Sequence, residues 1–238
     1  MTFDNFVLTV LHFLLQRFTL NAHKMLGAPQ QCTIFLTKHA SILRDANSLR
    51  ASYLFSKDKF GAAYDLGDKT FTCGRRGDAL KYWALIKQYG AASLGRRIDH
   101  NACMMLEFAK AIENSQYFVL ACPPNPFNVN FFFISSRLRH FIQKEASYVI
   151  TSEGHRVLDL AKLDEKILGM LHQSQMDLKL SLHASGSVLI PHQPIYKIPS
   201  SQQNIHCLRF VLAGSRLTFD KRDISELLTI ISSHGNVL

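Results

Sequence analysis

The sequence predicts a mixed α/β chain whose second half is a small α+β domain, and three observations carry that expectation. Short β-branched or aromatic runs (TIFLT at 33–37, YFVLA at 117–121, VNFFFI at 129–134) alternate with stretches of helical period. The character of the chain changes near residue 115, from long helices to short strands. Hydrophobic residues make up 47% of the 238 and charged residues 19%, which is enough apolar surface for a sizeable core.

Thr33 to Thr37 is apolar and β-branched, hence a strand. Asn47 to Gly74 is polar, rich in Gly, Asp and Lys, and without a sustained period; a loop of that length is functional or mobile. From Asp78 to Tyr89, the residues Leu80, Trp83, Ala84 and Ile86 predict a buried helix that Gly90 stops, with Trp83 in the core. A second helix is predicted over 94–112, with Ile98, Ala102, Met105 and Ala109 on one stripe. Strands at 117–121 and 129–134 are separated by the turn Cys122-Pro-Pro-Asn-Pro126. Leu160, Leu163, Ile167 and Leu171 recur at helical spacing. Strands follow at 187–190 and 207–213. A last helix over 221–232 turns Ile224, Leu227, Leu228 and Ile231 inward, and Asp220 and Asp223 suit its positive N-terminal end. The order β-β-α-β-β-α reads as an α+β domain with helices on one face of a sheet.

Composition narrows the partners. The net charge of +9 favours anionic partners, yet the basic residues are scattered and form no tail, so nucleic-acid binding rests on charge alone. Five cysteines at wide spacings, without C-x-x-C, point to reduced thiols in a cytosolic protein. Eleven histidines include no H-x-x-x-H pair with a nearby carboxylate, so no metal site is expected. Phe6 to Leu15 is apolar but too short to span a membrane. It has Asp4 where a signal peptide carries basic residues, which leaves a buried strand or helix, or a start that is not the natural one.

Asn21-Ala22-His23-Lys24 lies between that apolar stretch and the TIFLT strand. Taken alone, a lysine beside a histidine is a solvated loop residue. Its context is an ordered series: Gln31-Cys32, Ala51-Ser-Tyr-Leu-Phe55, Asp58-Lys59-Phe60, Asp65-Leu-Gly-Asp-Lys69, Cys73-Gly-Arg-Arg76 and Lys81-Tyr82-Trp83. Later come Asn128-Val-Asn-Phe-Phe132, Leu208-Arg209-Phe210-Val211 and Gly235-Asn-Val-Leu238. Together these resemble the group II pyridoxal-phosphate-dependent amino-acid decarboxylases, the family of glutamate, cysteine sulfinate and aromatic amino-acid decarboxylases. The N-P-H-K motif of that family stands here as N-A-H-K, with Ala22 for the proline.

The resemblance implies a type I pyridoxal-phosphate-dependent transferase-like fold. Residues 19–115 would be the C-terminal part of the cofactor-binding large domain and 116–238 the small α+β domain, with 1–18 unassigned. It implies pyridoxal 5'-phosphate as cofactor, with Lys24 as the lysine whose amine binds it and His23 and Asn21 against it. Tyr53, on the long loop, matches the family's acid that returns a proton to carbon. The loop of the family reaches into a partner subunit, so a homodimer is implied. Arg209 matches the arginine that receives the substrate carboxylate; read without the family, it is an arginine at a strand edge. The ASYLF and CGRR wording resembles the branch acting on acidic amino acids (glutamate, cysteine sulfinate or aspartate) in the cytoplasm. The family's ring-stacking histidine and its aspartate for the pyridine nitrogen find no match here, so the chain is expected to act as part of a longer enzyme. The alternative is a non-catalytic remnant that associates with a full-length decarboxylase subunit.

Overall fold

The computed structural model describes residues 16–237, apart from 50, 52, 54, 56, 57, 73, 75, 143–146 and 215–218. The apolar stretch 6–15 lies outside the described residues. The chain divides into two compact units, 1–94 and 95–238.

In the first unit β1 (Arg17–Asn21) pairs antiparallel with β2 (Thr33–Thr37), in a register that sets Asn21 against Thr33. A short helix α1 (Ile42–Asn47) follows, and then an irregular stretch carrying two single 3-10 turns. Helix α2 (Asp78–Tyr89) closes the unit. Ala22, Ala28, Cys32, Leu85 and Leu94 form its core, with Tyr82, Ile86 and Tyr89 packed against them. The predicted inner face of α2 is therefore corrected. Tyr82, Leu85, Ile86 and Tyr89 share one stripe at i, i+3, i+4 and i+7. Leu80 and Trp83 lie off that stripe and are 65% and 57% exposed, with the Lys87 ammonium 5.9 Å from the Trp83 ring centre.

The second unit is built on a six-stranded sheet. Its strands are β3 (Phe118–Leu120), β4 (Val129–Phe133), β5 (Tyr148–Ile150), β6 (Arg156–Leu158), β7 (His192–Lys197) and β8 (Asn204–Phe210), in the order β5-β6-β3-β4-β8-β7. Among the described residues only the β3–β6 pair is parallel. The helices are α3 (Ala91–Glu113), α4 (Ser136–Ile142), α5 (Glu165–Ser185) and α6 (Lys221–Val237).

All five residues of β4 are buried. Alternate residues of a strand face opposite ways, so two separate core clusters mark two covered faces. Phe118, Leu120, Val129, Phe131, Phe133 and Leu208 pack with Phe108 and Ile112 of α3 and Ile224 and Ile231 of α6. Val119, Phe132, Leu158, Ile205 and Cys207 pack with Leu138 and Ile142 of α4 and Leu168 and Leu171 of α5. This corrects the expectation of helices on one face only. The two-sided burial was written in the apolar run Phe131–Ile134, which a one-sided strand would alternate with polar residues; Asn130, the one polar residue of β4, is buried as well. Gly235 of α6 lies so close to the Phe133 ring that a methyl group there would overlap it.

Helix α5 serves both faces, since Leu178 and Leu182 belong to the first cluster. It does so at a break in the ladder. β4 and β8 pair from Val129↔Phe210 to Phe131↔Leu208 and then part. Beyond the break the Gln175 side chain takes the place of a strand. Its Oε1 accepts from the Phe133 N–H at 3.0 Å, and its Nε2 donates to the Phe133 carbonyl at 2.9 Å. One turn earlier, His172 Nδ1 accepts from the His206 N–H at 3.3 Å.

Several other elements depart from the sequence expectation. The strand predicted at 187–190 lies instead at 192–197, and the one predicted at 207–213 begins and ends earlier, at 204–210. The last helix runs on to Val237. The β5–β6 hairpin and α4 were not anticipated; three-residue strands are too short to show a period.

Two predictions follow from the break between β4 and β8. Gln175→Leu leaves two buried backbone groups of Phe133 without partners, and should cost about 2–4 kcal/mol. Urea-dependent amide exchange of β3 and β4 reads it; unchanged protection would refute the role given to Gln175. The second concerns pH. His192, His206 and His172 stack with ring centres 5.0 and 5.2 Å apart. Burial and then the His206 charge lower the His172 pKa; burial and then Lys179, His206 and His172 lower that of His192. The unfolded chain thus takes up protons near 6.5 that the folded one still refuses, so stability falls as pH drops below that value. A His172→Gln variant should lose less protection between about pH 6.5 and 5 than the wild type.

Candidate active site

The tetrad Asn21–Lys24 leaves the end of β1 and turns at once. The Lys24 N–H donates to the Asn21 carbonyl at 3.0 Å, and Ala28 N–H to the Ala22 carbonyl at 3.1 Å. Ala22 is fully buried, so the turn is pinned from beneath by its smallest side chain. The Asn21 Oδ1 accepts from the Thr33 hydroxyl at 2.8 Å, across the register pair. His23 is held by Cys32: the backbone N–H of His23 donates to the Cys32 carbonyl, and Nδ1 sits 2.8 Å from that oxygen and 3.2 Å from the Cys32 N–H. The ring is thereby fixed through Nδ1, which leaves Nε2 for another partner. Lys24 stands on the exposed side of this turn.

Lys81 was missed as a functional residue. Its ammonium donates to the Gln30 and Gln31 carbonyls, each at 3.2 Å, and to Asp78 Oδ1 at 2.7 Å. It ties the loop that carries His23 and Lys24 to the first turn of α2. Cys32 adds a contact from its thiol to the Asp78 carbonyl at 3.7 Å. The K-Y-W motif was visible in the sequence, but its lysine pointed to no partner without the fold.

Tyr53 lies in the irregular stretch after α1 and is 85% exposed. That stretch is tied at other points: Ser48 Oγ donates to the Asp68 carboxylate at 2.8 Å, and Gly67 N–H to Asp65 Oδ1 at 3.0 Å. The Lys59 ammonium bonded to Asp65, with the Gly67 N–H, holds that carboxyl below its usual range. Phe60, Tyr64 and Phe71 are also largely exposed along it.

In the second unit Arg209 sits on β8 opposite Asn130. Its backbone N–H donates to the Pro191 carbonyl at 2.8 Å, and its Nε donates to Asn128 Oδ1 at 3.2 Å. Asn128 is itself fixed by paired backbone bonds with Asn125, both 3.0 Å. Asn130 accepts from Gln193 Nε2 at 2.9 Å. Among the described residues neither terminal nitrogen of Arg209 has a partner, so its outer fork can receive a carboxylate end-on. Cys207 next to it is no nucleophile, because burial pushes its thiol up to about 12. The structure thus brings Asn21, His23 and Lys24 into one turn, sets Tyr53 on an exposed loop of the same unit and places Arg209 on the second unit's sheet. Among the described residues no cluster of His, Cys, Asp or Glu is arranged to hold a metal ion, and no helix is long and apolar enough to cross a membrane.

A primary amine, an imidazole fixed through one nitrogen and an anchored carboxamide in one rigid turn form a donor set that fits an aldehyde-bearing aromatic phosphate. Comparison with known proteins places the stretch that holds this turn in a family. Residues 14–134 match the pyridoxal-dependent decarboxylase conserved domain. Mouse cysteine sulfinic acid decarboxylase is 40% identical over 121 residues, 50% of this chain and 24% of that protein. An L-aspartate decarboxylase of Metarhizium robertsii is 40% identical over 108 residues, 45% of this chain and 22% of that protein. The crystal structure of mouse CSAD superposes with a TM-score of 0.74 at 26% identity, covering 94% of this chain and 40% of that one. The chain therefore spans well under half the length of these relatives.

The role of Lys81 is testable. Lys81→Met should raise amide exchange at Ala28 and Cys32 by about tenfold, the loss of one charge-assisted anchor. Unchanged exchange would show that the loop holds itself.

Proposed function

The chain belongs to the pyridoxal-dependent decarboxylase family, and on that premise we propose that it is the cofactor-lysine and small-domain part of a carboxy-lyase acting on acidic amino acids. On this reading residues 19–115 belong to the cofactor-binding part and 116–238 are the small domain, with α3 reaching into the core of the second unit. The reading rests on the Asn21–Lys24 turn, held in shape by Cys32, Thr33 and Lys81 within the stretch matched by the family. The cofactor, when bound, supplies an aldehyde for an amine and an aromatic ring that takes up the electrons left by departing carbon dioxide.

The protein's own residues bind, orient and move protons. Lys24 offers the amine; it must be partly desolvated to lose its proton and react. It is exposed in the first unit, so the desolvating wall comes from a further segment or a second chain. His23 presents a ring whose angle Cys32 sets, and Asn21 a carboxamide anchored on Thr33. Arg209 receives the substrate carboxylate through its outer fork while Asn128 holds its Nε. Tyr53 delivers a proton to the carbon that lost the carboxylate, once its loop closes and excludes water. The exposed Tyr53, Phe60, Tyr64 and Phe71 need an apolar surface to cover them, which a second copy of the chain in a homodimer supplies. Substrates are glutamate, cysteine sulfinate or aspartate; the second and third are named in the relatives. Their acidity suits a chain of net charge +9. Four unpaired thiols among the described residues suit the cytoplasm. The exposure of Lys24 also favours a second reading, a non-catalytic chain that associates with a full-length decarboxylase.

Purified chain titrated with pyridoxal phosphate should develop a visible absorbance band that Lys24→Ala abolishes. An intact longer form should release carbon dioxide from one of the three acidic substrates, with KM raised about tenfold or more by Arg209→Lys, which keeps the charge but loses the fork. No release from any of the three would sink the enzyme reading. Co-purification with a full-length homologue, without release, would select the second.

A further inference from the structure

We propose that the second unit carries an anion pocket, formed by Arg139, Arg156 and Ser115, that takes a small molecule bearing a phosphate or carboxylate group. A cavity of about 310 Å³ is lined by these three with Gln116, Phe118, Val119, Ile134 and Tyr148. That volume is at the lower end for ligand sites, roughly 300–1,000 Å³, so the occupant is small.

Three observations converge on an anion. The two arginines come from different elements, α4 and β6, yet line one cavity. Each has its guanidinium carbon over a tyrosine ring, Arg139 over Tyr117 and Arg156 over Tyr148, both at 4.8 Å from the ring centre. A cation–π contact restrains a guanidinium without using its N–H donors. Second, Arg139 Nε is buried and has no hydrogen-bond partner among the described residues. A buried donor without an acceptor is unfavourable, and an oxyanion oxygen removes the deficit. Third, the nearby Glu113 does not line the cavity, and one of its oxygens is engaged by other donors. Glu113 Oε1 accepts from His155 Nδ1 at 3.2 Å and from the Arg156 backbone N–H at 3.1 Å.

The neutral groups support the same occupant. The Ser115 oxygen accepts from the Tyr117 N–H at 3.1 Å, which leaves its own proton to donate. Burial raises the Tyr148 pKa, so its phenol stays a neutral donor. Val119 and Ile134, buried on one face of the sheet, lower the local dielectric beside Arg139, which strengthens a charged contact there.

The test is isothermal titration calorimetry on the full chain at fixed ionic strength, with sodium phosphate, sodium glutarate and sodium chloride. Phosphate or glutarate should bind saturably where chloride does not. Arg156→Gln, on an exposed side chain, and Arg139→Lys, which keeps the charge, should each weaken binding about tenfold or more. Lys24→Ala and Arg209→Gln should leave it unchanged. Binding of phosphate alone assigns a phosphorylated ligand, and binding of glutarate alone a carboxylate; either supports the pocket. The proposal falls if neither binds saturably, if either arginine substitution leaves binding undiminished, or if Lys24→Ala or Arg209→Gln abolishes it.

Discussion

The second unit depends on satisfying the backbone of β4 while both its faces are buried. A central strand in that position has no access to water, so every N–H and carbonyl must find a protein partner. Strands β3 and β8 supply most of them, but β8 leaves the ladder after Leu208. Gln175 completes the set from a helix, with one carboxamide matching the donor and acceptor of one residue. That pairing lets α5 pass between the two cores, and it sets where β8 bends away. The same ladder, one pair earlier, fixes Arg209 opposite Asn130. The placement of a candidate substrate arginine is therefore a by-product of how the core strand is satisfied.

Much of this was legible in the sequence, and what was not has particular reasons. The run from Val129 to Ile134 announced a strand, and the four consecutive apolar residues Phe131 to Ile134 announced burial on both sides, although a one-sided helix layer was the expectation. Met105 and Ala109 on α3, and Ile224 and Ile231 on α6, were read correctly because long helices repeat their pattern often enough to fix a face. Helix α2 is too short for that. Leu80, Trp83 and Ala84 and the true stripe of Tyr82, Leu85, Ile86 and Tyr89 are both apolar, and only the packed neighbours choose between them. Gln175 carried no signal at all: a glutamine within a helix is ordinary until the strand it completes is known.

The candidate site was legible in a different way. No local feature separates Lys24 from a solvated lysine; only the ordered motifs around it single it out as a candidate. The fold then adds what motifs do not contain, the reason for the spacing. Eleven residues separate Asn21 and Thr33, which pair across the sheet, so the loop between them must close on itself. Cys32 closes it at His23, and Lys81 clamps it to α2 from outside the loop. Arg209 was singled out as a candidate by its motif, but its orientation depends on Asn128, a residue that the same motif series contains and that had no role until the two strands were seen side by side.

The exposure of Lys24 and Tyr53 has one physical meaning for the proposed chemistry. An ammonium in water keeps its proton, and a phenol in water has no reason to give one to carbon rather than to solvent. Both groups require a dry site, and so do the aromatic residues displayed along the same irregular stretch. Covering that stretch would desolvate the acid and bury Phe60, Tyr64 and Phe71 in one step, with apolar area contributing about 25 cal/mol per Å². The hydrophobic gain from closing would thus offset the cost of drying the reactive groups. On this view the exposed aromatics are the binding surface that makes the chemistry possible, and the surface that covers them decides whether the lysine is an inert ammonium or a nucleophile.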